Sequence, residues 1–393
     1  MTSLAIDGGK PAVESPLRAY DSFSYAERYL ATDALHGPLS GYLGGSPKGG
    51  YYCQKLEEEF ADAIGSKHAI VCNSATSGLV AACAAAGVGS DSAVITSPYT
   101  MSATAAAPKS LGARVLFGDI EEDTFMLYKS VSQSLPFPVQ HKAVIVTNLF
   151  GHPGFLKTMR GSADHTGLII IEDAAQSPFA VEHGKHAGTH GHMGVFSFNV
   201  HKHLQSGEGG IVVTDDEDYA QAVRRYVNHG ELSGDTRVGL NLRMTEVTAA
   251  IALAQVSRRD ELINSRIELA MELTKMVGPY ACEDLRLPVT RDGCKHVYYC
   301  WPLLVKKERD FFVQALCAEG VPVRAGYVKP LYQMPAFRQD AGSWPVTAKV
   351  ETELVLFEVC AHDPSKEQLV QIKEAFDKVC TAWHKRIKST TNG

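Results

Sequence analysis

From residue 66 the chain alternates short apolar bursts with stretches of helical length. The bursts are His68–Cys72, Ala93–Thr96, Arg114–Phe117, Lys142–Thr147, Leu168–Ile171, Gly194–Phe198 and Gly210–Thr214. Between the first three lie Ser77–Ala86 and Met101–Leu111, which predict helices. Near-continuous apolar bursts fit strands buried on both faces. Separated by helical lengths, they predict an α/β fold: a mostly parallel sheet with helices on both faces. After about residue 244 the character changes. Met244–Ile263 and Glu268–Val277 predict long helices. Val297–Val305 predicts a strand, and Glu308–Gly320 and Lys366–Trp383 predict helices. We expect a large α/β domain with an N-terminal arm over residues 1–265 and a smaller α+β domain over 266–393, with the boundary near 260–280. Residues 36–52 are glycine-rich and predict a long loop, of the kind that closes over a site or crosses to a partner subunit.

Composition narrows the function classes. The chain has 393 residues, 45% apolar and 21% charged, enough for a sizeable core without disulfide or metal staples. Net charge is −6 and no basic stripe occurs, so the electrostatic footprint of a nucleic-acid binder is missing. Leu79–Val88 is too short to span a bilayer. The opening MTSLAIDGGKPAVESP lacks the basic and apolar regions of a secretory signal. Nine cysteines, an odd number without any CxxC, predict neither a disulfide scaffold nor a metal site, and the cytoplasm is the expected setting. Nearly all of them read as small buried apolar residues.

In a parallel sheet covered on both faces, ligands bind beyond the carboxyl ends of the strands. The residues there carry the candidate chemistry. After Ile171 comes Glu172-Asp173-Ala174-Ala175-Gln176-Ser177. A carboxylate at a buried strand end needs a cationic partner, and a pyridinium nitrogen is one. Taken alone, Asp173 is as well explained as the cap of the next helix. After Phe198 comes Asn199-Val200-His201-Lys202-His203, followed by the turn Gly207-Glu208-Gly209-Gly210. Apolar surroundings and nearby positive charge lower an amine's pKa and favour Schiff-base chemistry. A single lysine is more often a surface charge. Lys202 gains weight from the acid 29 residues upstream and the glycine turn downstream. After Cys72, Asn73-Ser74-Ala75-Thr76-Ser77-Gly78 opens a helix whose first N–H groups suit a phosphate or an ordinary hydroxyl cap. Ser197 adds a hydroxyl to the same place.

The run Ser197-Phe198-x-x-x-Lys202-x-x-x-x-Gly207-Glu208-Gly209-Gly210-x-x-x-Thr214 closely resembles the DegT/StrS family. These are fold-type-I pyridoxal-phosphate aminotransferases acting on keto-sugars, usually nucleotide-linked, or on keto-cyclitols. The Glu172-Asp173-Ala174-Ala175-Gln176 run and Gly239-Leu240-Asn241-Leu242-Arg243-Met244-Thr245 are similar to further signatures of the family. The resemblance continues through Val297–Val305 and Tyr327–Tyr332 and covers about residues 30–380.

The resemblance implies that Lys202 forms the Schiff base and moves the Cα proton. It places Asp173 at the ring nitrogen, Gln176 at the ring-hydroxyl side, and the Ala75 and Thr76 backbone with Ser197 at the phosphate. Asn241 would reach the neighbouring subunit's phosphate, so a homodimer with shared sites is expected. The family usually has glycine where this chain has Ala75, and stacks Trp or Phe on the ring where this chain has Met101. Either Met101 or Tyr99 then faces the ring. Family histidines around the Tyr327 segment are here Gly326 and Tyr332. Tyr327, Lys329, Tyr332 and Arg324 are candidate substrate contacts, with packing at a domain junction the competing explanation. The expected reaction moves an amino group from glutamate or glutamine to a keto-sugar. Alternatives are a dehydratase with histidine in the lysine's place, a cysteine-desulfurase type using Cys360, and a non-catalytic cofactor-binding regulator.

Overall fold

The computed structural model describes residues 3–42, 47–128, 141–154, 159–161, 167–232, 235–236, 238–338 and 342–391. Within the glycine-rich segment, residues 43–46 lie outside the described residues. Its described carboxyl end is already helical, because the helix α2 (Tyr51–Ile64) begins there. The Glu246 carboxylate accepts the Gly50 and Tyr52 N–H groups at 2.9 and 2.6 Å and so fixes where that helix starts.

Seven strands form the central sheet: β1 (His68–Cys72), β2 (Ala93–Thr96), β3 (Arg114–Phe117), β4 (His141–Thr147), β5 (Ile169–Asp173), β6 (Met193–Ser197) and β7 (Gly210–Thr214). Their order is β1-β7-β6-β5-β4-β2-β3, and only β7 runs antiparallel to its neighbours. The strands are apolar on both faces because both are covered. Ile70, Cys72, Val94, Ile145, Ile171 and Val195 meet α3 (Ala75–Ala85), α4 (Ala103–Ser110) and α5 (Glu217–Val227). Ala69, Val71, Phe196, Ile211 and Val213 meet α2 (Tyr51–Ile64) and α6 (Glu246–Ser257). Phe60 of α2 is fully buried, with the rings of Phe179, Phe196 and Phe198 5.0–5.9 Å away. Burial of one such side chain stabilises the fold by about 1.5–3 kcal/mol.

The structure splits the helix expected over Met244–Ile263 into α6 and α7 (Arg259–Val277), with a break at Arg258. The cause is tertiary. The Arg258 guanidinium donates to buried Glu27 of α1 (Tyr25–Ala34) at 2.8 Å and to the Ser22 carbonyl at 2.9 Å. Helix α7 continues through residue 265. Beyond it, the short strand Leu285–Arg286, β8 (Trp301–Val305), β9 (Val323–Ala325) and β10 (Leu354–Phe357) form an antiparallel sheet in the order 285–286, β8, β10, β9. α8 (Arg309–Ala318) and α9 (Lys366–Thr391) pack on it around Trp301, Phe312, Phe376 and Trp383. Leu4 and Val13 of the N-terminal segment join this second core. Among the described residues no helix is long and apolar enough to cross a membrane.

Candidate active site

Parallel strands deliver their carboxyl ends to one edge of the sheet, and the chemistry gathers there. Lys202 lies in the loop between β6 and β7. The loop is closed by the Phe198 and Val200 N–H groups, which donate to the Gly209 and Gly207 carbonyls at 2.9 Å each. Gly207 turns the chain at φ +82°, a conformation that a side chain would strain. The Lys202 N–H donates to the Asn199 carbonyl at 2.9 Å. Its two histidine neighbours have different fates. His201 is exposed, whereas His203 is buried and its Nε2 hydrogen-bonds the Val297 carbonyl at 2.8 Å. That bond ties the lysine loop to the segment leading into β8.

Lys202 Nζ stands 4.2 Å from the centroid of the Tyr299 ring. Burial lowers its pKa, and the negative charge of Asp173 opposes that shift. Among the described residues no ion pair joins the two. Asp173 ends β5 and is 5% exposed. Burial raises its pKa, and the hydrogen bond from Thr104 is the largest influence in the other direction. Thr104 Oγ1 donates to Asp173 Oδ2 at 2.7 Å, and the Ala175 N–H donates to Oδ1 at 3.3 Å. The neighbouring Glu172 points to the other side of the strand. Its carboxylate accepts the Gly188 and Gly191 N–H groups at 2.6 Å each and holds the chain entering β6.

Gln176 lies one turn beyond Asp173. Its carbonyl oxygen accepts the Phe150 N–H, and its amide donates to the Tyr327 hydroxyl, both at 2.8 Å. The Tyr327 N–H donates in turn to the Tyr99 hydroxyl at 3.1 Å. Tyr99 is fully buried, while Met101 is 52% exposed at the start of the turn into α4. Ala75 and Thr76 form the first residues of α3, behind the Ser74 cap, whose hydroxyl accepts the Ser77 N–H. The leading N–H groups of a helix have no partner within it. Ser197 closes β6 opposite Gly210, and a Cβ on Gly210 would come within 2.4 Å of the Ser74 carbonyl carbon and 2.5 Å of the Ala75 nitrogen. Strand and helix end are therefore in close approach.

The remaining sequence candidates scatter. Asn241 is exposed and accepts a bond from Arg243 Nε at 2.9 Å. Arg324 pairs with Glu358 at 2.9 Å, donates to the Tyr327 carbonyl at 3.0 Å and lies over the Tyr327 ring. Tyr332 stacks on Trp344 with centroids 4.5 Å apart, and Lys329 is exposed. Cys360 is buried in a single helical turn. A cleft of about 160 Å³ opens beside Lys202, lined by His201, Tyr299, Cys300, Glu358, Cys360 and Ala361. A larger hollow of about 530 Å³ lies at the opposite edge of the sheet, around Ser66, Gly191 and Asp215, away from the lysine. Sequence reasoning missed Thr104 and Tyr299. The only signal for Thr104 was a hydroxyl in the first turn of a helix that follows a parallel strand.

The donor set fits pyridoxal phosphate. A buried carboxylate with spare lone pairs suits a ring nitrogen, a lysine without a hydrogen-bond acceptor among the described residues suits an aldehyde, and a free helix N-terminus suits a phosphate.

The profile of the DegT/DnrJ/EryC1/StrS aminotransferase family matches residues 44–376. A dTDP-3-amino-3,4,6-trideoxy-alpha-D-glucose transaminase from Micromonospora megalomicea subsp. nigra is 28% identical over 353 residues, covering 87% of this chain and 94% of that protein. A putative L-glutamine:3-amino-2,3-dideoxy-scyllo-inosose aminotransferase from Streptomyces kanamyceticus is 30% identical over 366 residues, covering 88% and 85%. The X-ray structure of the aminotransferase from Psychrobacter cryohalolentis superposes with a TM-score of 0.85 at 25% identity, covering 94% of this chain and all of that one. The fold, the strand-end lysine and acid, and these matches agree: the chain belongs to the DegT/DnrJ/EryC1/StrS aminotransferase family.

Proposed function

We propose that this protein transfers an amino group from glutamate or glutamine to a nucleotide-linked keto-sugar, using pyridoxal phosphate held between Lys202 and Asp173. One observation carries the reading: a half-buried lysine of lowered pKa lies near a buried aspartate, close enough for the aspartate's charge to act on it, at the carboxyl edge of a mostly parallel sheet. The names of the two relatives, one a dTDP-sugar transaminase and the other L-glutamine-dependent, support the acceptor and donor classes.

When bound, pyridoxal phosphate supplies an aldehyde for the lysine and a ring that takes up the electron pair left at the donor's Cα. This chain does the rest. Lys202 Nζ, whose pKa burial lowers, removes the Cα proton as general base. Asp173 keeps a proton on the ring nitrogen. Gln176, braced between Phe150 and Tyr327, orients the ring hydroxyl. The Ala75 and Thr76 N–H groups and the Ser197 hydroxyl hold the phosphate. Met101, exposed at the rim, covers the ring, while Tyr99 braces Tyr327 from behind. The cleft between His201 and Glu358 admits the substrates, with Arg324 tied to its lining residue Glu358, and Tyr327, Lys329 and Tyr332 are the further candidate contacts. We place the reaction in the cytoplasm, in a homodimer in which Asn241 completes the partner's phosphate site. The exposed apolar residues Tyr25, Tyr29, Leu35, Leu39 and Leu240 fit a covered face.

The test follows the visible spectrum of the protein loaded with pyridoxal phosphate while each donor is added alone. Conversion to the amine form by glutamate or glutamine, and its reversal by a nucleotide keto-sugar, is the expected result. A spectrum untouched by either donor would exclude the reaction. The dehydratase alternative requires a histidine in the lysine's place, and His203 is committed to Val297.

A further inference from the structure

We propose that Thr104 is a positioning residue of the reaction: its hydroxyl, donated to Asp173 Oδ2, fixes the carboxylate for the ring nitrogen of the cofactor. The inference rests on the function proposed above and goes one residue further into its acid.

Thr104 is the second residue of α4, and its side chain is fully buried. A threonine in the first turn of a helix ordinarily bonds to nearby backbone. This one bonds instead to a side chain 69 residues away, at 2.7 Å. Its rotamer is not left to chance. Thr100 Oγ1 lies 3.2 Å from Thr104 Oγ1 and 3.3 Å from Thr147 Oγ1, and all three threonines are buried. The group joins the start of α4, the loop after β2 and the end of β4 to the end of β5. Asp173 then has one donor on each oxygen, Thr104 on Oδ2 and the Ala175 N–H on Oδ1. No cation lies within ion-pair distance among the described residues, so the hydroxyl is its shortest polar contact. A hydrogen bond to a carboxylate favours the charged form. A charged aspartate keeps the proton on the ring nitrogen, whereas an aspartate deprived of its donor competes for that proton.

Valine matches threonine in shape and removes only the hydroxyl. The experiment loads wild type, Thr104→Ser and Thr104→Val with 15N-labelled pyridoxal phosphate and records the ring-nitrogen resonance and the cofactor dissociation constant. Wild type and Thr104→Ser should both give the protonated-ring signal. Thr104→Val should move it towards neutral pyridine and weaken cofactor binding by about tenfold. If Thr104→Val does not fold, Thr104→Ala carries the same measurement. An unchanged nitrogen signal in a folded variant lacking the hydroxyl overturns the proposal while leaving the function standing. A wild-type protein that takes up no pyridoxal phosphate overturns both.

Discussion

The side chain of Lys202 reaches from a loop of the central sheet to the face of Tyr299, with 4.2 Å between Nζ and the ring centroid. Tyr299 belongs to the segment entering β8, and its N–H donates to the Phe150 carbonyl at 2.8 Å. The ring is therefore held at a fixed place between the two cores. An aromatic face favours the ammonium form by about 0.5–2 kcal/mol. Tyr299→Leu should lower the lysine's pKa further, and Tyr299→Phe should preserve it. The pH dependence of Lys202 modification by an amine reagent, read on the cofactor-free protein, checks this. A midpoint that rises or stays in the leucine variant contradicts the contact.

Gln176 is braced from both ends, and Tyr327→Phe removes one brace without changing the ring packing. A net hydrogen bond contributes about 0.5–1.5 kcal/mol. The variant should therefore bind pyridoxal phosphate roughly two- to tenfold more weakly, as measured by equilibrium titration. An unchanged affinity would separate Gln176 from the cofactor.

Gly210 has no room for a side chain, because its nearest neighbours are backbone atoms of Ser74 and Ala75. Gly210→Ala should push the start of α3 away from Ser197 and weaken cofactor binding by at least about tenfold, a loss of roughly 1.4 kcal/mol. Ser197→Ala should weaken it less, since the helix N–H groups remain. Equal affinities for wild type and Gly210→Ala would show that the phosphate is held elsewhere.

Four buried histidines set the acid limit. Burial pushes His152, His190 and His203 down to about 4 and His296 well below its ordinary 6.5. The unfolded chain takes up these protons as pH falls below 6.5 and the native chain does not, so stability is lost on acidification. Each site contributes up to about 1.4 kcal/mol per pH unit. Glu172, pushed up to about 7 by burial, holds its proton in the native state and opposes the trend with one proton. The melting temperature should therefore fall from about pH 6.5 towards about pH 4. His203→Gln, which retains a donor for Val297, should flatten that fall. A slope as steep as wild type would mean that His203 is charged in the native protein.

Asn241 is exposed, and among the described residues no hydrogen bond or ion pair links it to Lys202. Lys202→Ala and Asn241→Ala should each be impaired alone. Subunits exchanged between the two should recover up to about one quarter of the wild-type rate, because half the dimers then carry one intact site. No recovery on subunit exchange would contradict a shared site.

Much of this was legible in the sequence because strand-end chemistry is local. The apolar bursts located β1, β2, β3 and β7 to the residue, Asp173 is the last residue of β5, and Lys202 lies in the loop that leaves the end of β6. What was not legible depends on distant partners. The break at Arg258 interrupts an unbroken helical pattern because Glu27, 231 residues away, holds the guanidinium. Tyr99 and Met101 are two residues apart and equally apolar, and only the packing of Tyr327 shows which is buried. Thr104 carried only the signal of a helix-start hydroxyl, because its partner Asp173 ends a strand 69 residues away.

The most direct measurement is a peptide map of the protein loaded with pyridoxal phosphate and reduced with borohydride. The account predicts that the reduced cofactor is attached to the peptide containing Lys202, and that Lys202→Ala takes no label. Label on another lysine, or none on the wild-type protein, would contradict the assignment of Lys202.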